Sequence, residues 1–116
     1  MVSQSLAQEI SRMEADLCFA FADPTRILIL YTLDEKPLDV GEIVNELQIS
    51  QPSASRHLKV LRDRGLVTKT RQGTNVEYRL TDQRLIQALD LLRAVLRDRI
   101  AHRASVMEKA DASDTA

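Results

Sequence analysis

The sequence predicts a mainly α-helical fold with one small β-hairpin, in the order α-α-α-α-β-β-α. Three observations carry this. Apolar residues recur at helical spacing through most of the 116 residues. The period drops to two only around Val76, Tyr78 and Leu80, which alternate with Glu77 and Arg79 as on a half-buried strand. Between these regions, Ser50 to Val67 reads as a short capped helix with an apolar stripe and a small, polar, basic outer face. A helix, a tight turn, this second helix and then a hairpin make the order of a winged helix-turn-helix.

The first helix rests on Leu6, Ile10, Met13, Leu17 and Phe21, which share one face. Asp23-Pro24 restarts the chain, with Asp23 as cap and Pro24 in the first helical position. The next helix, about 24–33, holds Ile27, Leu28, Leu30 and Tyr31 and is expected to be the most buried; Glu35-Lys36-Pro37 ends it. Asp39-x-x-Glu42 forms a capping box for a short helix with Val40, Ile43, Val44 and Leu47 inward. Gln48-Ile49 makes the turn and Ser50 caps the fourth helix. Pro52 lies in that helix's first turn, where a missing N–H costs nothing. Gly65 supplies its left-handed stop.

Residues 66–71 pair with the alternating strand across Gln72-Gly73-Thr74-Asn75. Thr81 or Asp82 caps a last helix with Leu85, Leu89, Leu92, Leu96 and Ile100 in one stripe. The chain thus reads as a single domain: a dimerisation helix over 1–22, the winged helix-turn-helix over 24–80, a second dimerisation helix over 82–106 and a flexible tail over 107–116. The flanking stripes exceed what one small core can cover, so a homodimer is expected.

Charge narrows the function. The net charge is −1, yet residues 51–80 carry seven basic and two acidic residues, or +5, while residues 1–50 carry −6. Local field governs phosphate binding, so a basic segment in a neutral chain suffices for double-stranded DNA. On a helical wheel Ala54, Leu58 and Leu61 face inward, and Pro52, Arg56, Lys59 and Asp63 face outward with Ser53 and Ser55 on the flanks. Arg56 suits a guanine edge, Gln51 an adenine or a phosphate, Ser53 and Ser55 either, and Lys59 and Arg62 the backbone. The hairpin, with Lys69 and Arg71 on one arm, suits a phosphate backbone, or Arg71 suits the minor groove. His57 sits beside the apolar stripe and reads as a core-edge residue.

No catalytic residues are expected: Ser55 and His57 point in different directions, and there is neither a nucleophile elbow nor a phosphate-binding glycine loop. Cys18 is the single cysteine, which excludes an intrachain disulfide and a cysteine-based zinc finger. It reads as a small core residue, with oxidation or an intersubunit bridge as the redox alternative. The start lacks a basic leader, and the longest apolar run, Ile27 to Tyr31, is too short for a bilayer; a cytoplasmic location without membrane association is expected.

Phe21-Ala22-Asp23-Pro24-Thr25-Arg26-Ile27, the Ser50-to-Val67 stretch, and Arg71-x-Gly73 followed by Tyr78-x-Leu80 resemble the ArsR/SmtB family of repressors over about residues 17–82. The resemblance implies a dimeric winged-helix repressor, joined through its first and last helices, that releases operator DNA when an inducer binds. It places Gln51, Ser53, Ser55, Arg56 and Lys59 on the recognition helix and Arg71 on the wing. The inducer does not carry over. Leu38-Asp39-Val40-Gly41-Glu42 holds no thiol where many relatives have a cysteine pair. His102 is alone on the last helix, and Ser105 stands where a glutamate would complete a metal site. Asp98 and His102, four apart, are the remaining candidates for a divalent metal ion, with a surface ion pair as the plainer reading. The competing function is a dimeric protein-interaction or small-ligand module that keeps the fold without operator binding.

Overall fold

A computed structural model describes residues 1–114 of the chain. It divides into two compact units, Met1–Gln83 and a second that begins at Arg84. The first unit contains α1 (Gln4–Met13), a π-helical segment (Glu14–Cys18), α2 (Phe19–Phe21), α3 (Pro24–Glu35), α4 (Val40–Leu47), α5 (Gln51–Asp63), β1 (Val67–Gln72) and β2 (Asn75–Leu80). The second contains α6 (Arg84–Asp114).

Side-chain caps set the helix starts. Ser3 accepts from the Leu6 amide, Asp23 from Thr25, and Ser50 from Ser53. Asp39 and Glu42 make the reciprocal capping box that opens α4. Each cap satisfies amides that have no partner inside the helix.

The first helix is interrupted. The Phe19 amide bonds to the Glu14 carbonyl, five residues back, so one extra residue is wound in between α1 and α2. Apolar periodicity cannot mark a single inserted residue in the hydrogen-bond ladder, and the sequence reads as one unbroken helix. Of its expected stripe, Leu17 and Phe21 are half-buried, and Leu6, Ile10 and Met13 are exposed.

The core of the first unit is aliphatic. Ala20, Ile29, Leu30, Leu33, Leu38, Ile43, Ala54, Leu58, Leu61, Leu66 and Val67 are buried. Leu28, expected inside, is 53% exposed. α3 is apolar around much of its circumference, so its residue pattern does not single out the inner face, and the fold selects Ile29, Leu30 and Leu33.

β1 and β2 are antiparallel, with Val67 opposite Leu80 and Gln72 opposite Asn75. That leaves Gly73-Thr74 as a two-residue turn. Gly73 has φ +65° at its first position, the arrangement of a type II′ hairpin. A third strand stub, absent from the sequence expectation, adds to the outer edge: the Tyr78 amide donates to the Leu38 carbonyl at 2.7 Å, and the Leu38 amide donates to the Tyr78 carbonyl at 3.1 Å. Thr81 is not a helix cap. Its hydroxyl donates to the Gly65 carbonyl at 2.9 Å and its amide to the Leu66 carbonyl, tying the end of the wing to the end of α5.

In the second unit, Ile86 and Leu89 are buried, while Leu91, Leu92, Val95, Leu96, Ile100, Val106 and Met107 are each at least half exposed. α6 runs to Asp114, beyond the expected tail boundary at 107. Residues 107–114 contain Met, Glu, Lys and two alanines without glycine or proline, which favours helix. Thr115 and Ala116, the end of the expected tail, lie outside the described residues. No helix among the described residues is long and apolar enough to cross a membrane.

Candidate nucleic-acid interface

The turn between α4 and α5 is made by Gln48, whose φ of 55° and ψ of 46° put it in the left-handed region. Its side-chain amide donates to the Asn45 carbonyl at 2.7 Å, which satisfies one of the free carbonyls at the end of α4. The chain then turns through Ile49 into the Ser50 cap.

α5 presents the expected outer face. Gln51, Ser55, Arg56 and Lys59 are exposed and Ser53 is half-buried, while Ala54, Leu58 and Leu61 are buried beneath them. Lys59 is joined to Asp63 by a 3.0 Å ion pair between two exposed side chains. Four residues apart on a solvent-facing helix, such a pair is weakly held and readily exchanged.

The inner flank of α5 is anchored by polar contacts. His57 is 13% exposed and lies 4.0 Å from the Asp23 carboxylate, so it is the core-edge residue that the wheel predicts. Asp23 caps α3 and lies 3.9 Å from Arg26. Partial burial works against the Asp23 charge, but the Thr25 amide, a charged His57 and Arg26 together outweigh it and hold the carboxyl below its ordinary range. Arg26 in turn donates to the carbonyls of Ala20 and Phe19 at 2.8 and 2.9 Å, fastening the end of α2.

Arg64, counted in the basic segment, is diverted from the outer face. Its guanidinium lies 4.6 Å from the Phe19 ring centre and 3.3 Å from the Asp16 carboxylate. These contacts tie the end of α5 to the π-helical segment. Neither Arg26 nor Arg64 is marked by spacing as a clamp, because their partners lie on other elements.

On the wing, Lys69 faces Tyr78 across the strands and Arg71 faces Val76. Alternation places these four side chains on one face of the hairpin. Lys69 and Tyr78 line a groove of about 280 Å³ with Ser55, Lys59 and Arg62 of α5. Arg71 extends the same hairpin face towards the turn and is exposed. Sequence reasoning finds Arg71 and Lys59 but misses Tyr78, whose polar end becomes relevant only once the register sets it beside Lys69.

The effector candidates fare differently. Cys18 is exposed, not a core residue; the π-helical winding sets its orientation, which the sequence pattern does not report. Asp98 and His102 lie together on α6 with Val95, Arg99 and Arg103. Two donors flanked by two guanidiniums do not fit a divalent cation, which needs more ligands and a negative surround. Among the described residues, no three His, Cys, Asp or Glu side chains come together as a metal site.

A helix-turn-helix whose second helix bears an exposed basic face, followed by a basic two-stranded wing, defines the winged helix-turn-helix class of DNA-binding protein. Residues 23–69 match the family described as bacterial regulatory protein, arsR family. The chain is 38% identical over 95 residues to the HTH-type transcriptional repressor SmtB of Mycobacterium tuberculosis, an alignment covering 82% of this chain and 65% of that protein. It thus spans just under two thirds of the repressor's length. A solution structure of the cadmium metal-sensor CmtR of M. tuberculosis is 40% identical, with a TM-score of 0.58, covering 67% of this chain and 80% of the other. The homodimeric winged helix-turn-helix domain of Mb0332 from Mycobacterium bovis, described as a possible ArsR-family regulator, superposes with a TM-score of 0.72 at 26% identity over 87% of this chain and 93% of its own. The chain belongs to the ArsR family of bacterial transcriptional regulators. The family and these relatives are regulators, not enzymes.

Proposed function

We propose that the protein is a transcriptional repressor that acts as a homodimer on double-stranded operator DNA in the cytoplasm. One observation carries the reading: α5 holds Gln51, Ser55, Arg56 and Lys59 outward over buried Ala54, Leu58 and Leu61, next to a wing that presents Lys69 and Arg71 on one face. Small residues at the start of α5 let its backbone approach the floor of a major groove roughly 12 Å wide. Arg56 has the fork geometry to read guanine. Gln51, Ser53 and Ser55 contact bases or phosphates around it, Lys59 meets backbone, and Arg71 reaches the minor groove beside the wing. The SmtB relative is named a repressor and the Mb0332 domain a homodimer, and both support the assignment.

Arg56→Ala tests it. Binding to a selected operator weakens by about 1–3 kcal/mol and preference at one base position relaxes. Unchanged affinity and preference would remove Arg56 from the reading role.

The CmtR relative is a cadmium metal-sensor, and it points to an effector class. A divalent metal is the class to test first, although the Asp98 and His102 pair of one chain does not itself form a site. Operator binding titrated with divalent metals and thiol oxidants separates the candidates. Release by a metal that survives Cys18→Ser and disappears in His102→Ala assigns the switch to α6. Release by an oxidant that Cys18→Ser abolishes assigns it to the thiol.

A further inference from the structure

The groove between α5 and the wing has a composition that packing alone does not explain. Its lining is Ser55, Lys59, Arg62, Lys69 and Tyr78: three cations, two hydroxyls and no carboxylate. Ser55, Lys59 and Arg62 stand at i, i+4 and i+7, so they form one stripe along α5. Lys69 and Tyr78 are directly opposed on the two strands. Because the Tyr78 amide and carbonyl are both spent on Leu38, this is a non-hydrogen-bonded pair, the kind that brings side chains closest together. The Leu38 bridge also fixes the backbone that carries the tyrosine.

Among the described residues, the Ser55 and Tyr78 hydroxyls, the Arg62 guanidinium and the Lys69 ammonium make no hydrogen bond or ion pair; Lys59 has Asp63. Cations gathered in one groove repel each other unless an anion joins them. Water's share of liquid volume is about 30 Å³ per molecule, so the 280 Å³ groove admits a tetrahedral anion with part of its hydration shell.

We propose that this groove seats one phosphodiester of the DNA backbone, bound by the Ser55 and Tyr78 hydroxyls and by Arg62 and Lys69, with Lys59 leaving Asp63 to join them. The inference rests on the operator-binding reading above; it adds Tyr78 to the contacts and gathers Arg62 and Lys69, which the sequence already directs to the backbone, into one seat. It also gives Asp63 a role. In the free protein its carboxylate occupies Lys59 in place of phosphate, and in the complex it stands at the rim of the seat and opposes the bound anion. A phosphate seat carries no sequence information; it fixes how far α5 enters the groove relative to the wing.

The seat is sequence-independent, so the test needs no known operator. Binding of the full chain to a random duplex of about 30 base pairs is measured over a salt series for wild type, Lys69→Ala, Tyr78→Phe and Asp63→Asn. Lys69→Ala weakens binding and lowers the salt slope by about one. Tyr78→Phe keeps the ring and the Leu38 bridge but loses the hydroxyl; it weakens binding about tenfold or more with the slope unchanged, as for one hydrogen bond to a charged group. Asp63→Asn tightens binding to the same duplex. Thermal melts confirm that each variant folds.

Wild-type binding with Lys69→Ala and Tyr78→Phe indistinguishable from it would overturn the seat while leaving the repressor reading intact. No wild-type binding to any duplex at low salt would remove both. Inorganic phosphate at millimolar concentration, added at constant ionic strength, does not displace the duplex. Saturable displacement that depends on Lys69 would reassign the groove to a free anion and overturn the proposal.

Discussion

Gln48 is the one described residue other than glycine with a positive φ. It bears the turn between α4 and α5, and so sets the angle at which α5 leaves the core. A side chain with a Cβ is disfavoured there, and a β-branched one most of all. The amide bond to the Asn45 carbonyl offsets part of that cost. Gln48→Val is therefore expected to lose about 1–2 kcal/mol of stability. Gln48→Gly relieves the Cβ strain and stays close to wild type despite losing the side-chain bond. Urea titration of the two variants checks the ordering; equal losses in both would assign the effect to the hydrogen bond.

Asp23 gives a pH dependence at the same scale. Its folded carboxyl lies below the ordinary 3.8, so its contribution is fully present above that value and is lost as pH falls through the lower, folded one. Asn caps a helix about as well as Asp, so Asp23→Asn isolates the charge. The variant is expected to be less stable than wild type near neutral pH, with the difference closing in acid below 3.8. Urea midpoints followed from neutral pH into acid measure it. A difference that persists unchanged in acid would mean that the carboxylate's interactions with His57 and Arg26 are not its source.

At the level of elements, the end of α5 is the best-defined boundary. The Leu66 amide bonds to the Leu61 carbonyl at 2.9 Å and the Gly65 amide to the Arg62 carbonyl at 3.0 Å, the two bonds of a Schellman motif. Gly65 has φ +76°, and a Cβ there would meet nothing within 4 Å. Gly65→Ala thus costs only the backbone strain, about 1–2 kcal/mol, and leaves packing intact. A crowding effect would instead give a larger loss on thermal melting. This boundary, the Asp39–Glu42 box, the Ser50 cap and the Gly73 turn were legible because each depends on local chemistry within a few residues. The π-helical turn, the Leu38–Tyr78 bridge and the inward face of α3 were not. The last two are settled by contacts between segments far apart in sequence, to which a local period is blind, and the first is one residue inserted in the hydrogen-bond ladder, which leaves no mark on that period. The same division runs through the candidate interface: Arg56 and Lys59 follow from the wheel, whereas the diversion of Arg64 to Phe19 and the approach of Tyr78 to α5 appear only with the fold.

For the whole molecule, the decisive feature is apolar surface that each unit leaves exposed. In the first unit, Leu6, Ile10 and Met13 lie on α1 at 43–47% exposure. In the second, Leu92, Leu96 and Ile100 lie on α6 at 56–61%. Their spacings place each set on one helical face, and contiguous apolar faces of this kind mark protein–protein contacts. A second copy of the chain is the partner that the homodimeric Mb0332 domain favours. Two-fold symmetry would also present two recognition helices to half-sites about one turn of DNA apart. The double variant Leu92→Glu/Leu96→Glu is accordingly expected to sediment as a monomer at micromolar concentration, where wild type is expected to sediment as a dimer. Its first unit should keep its fold, because neither residue belongs to it, and its random-duplex binding should fall less than its binding to a selected operator. That difference follows from effective concentration: once one half of a dimer is bound, the other is held near its half-site, an advantage a monomer lacks. A double variant that remains dimeric would move the interface away from this face of α6. A monomeric variant with undiminished operator affinity would mean that recognition does not depend on pairing.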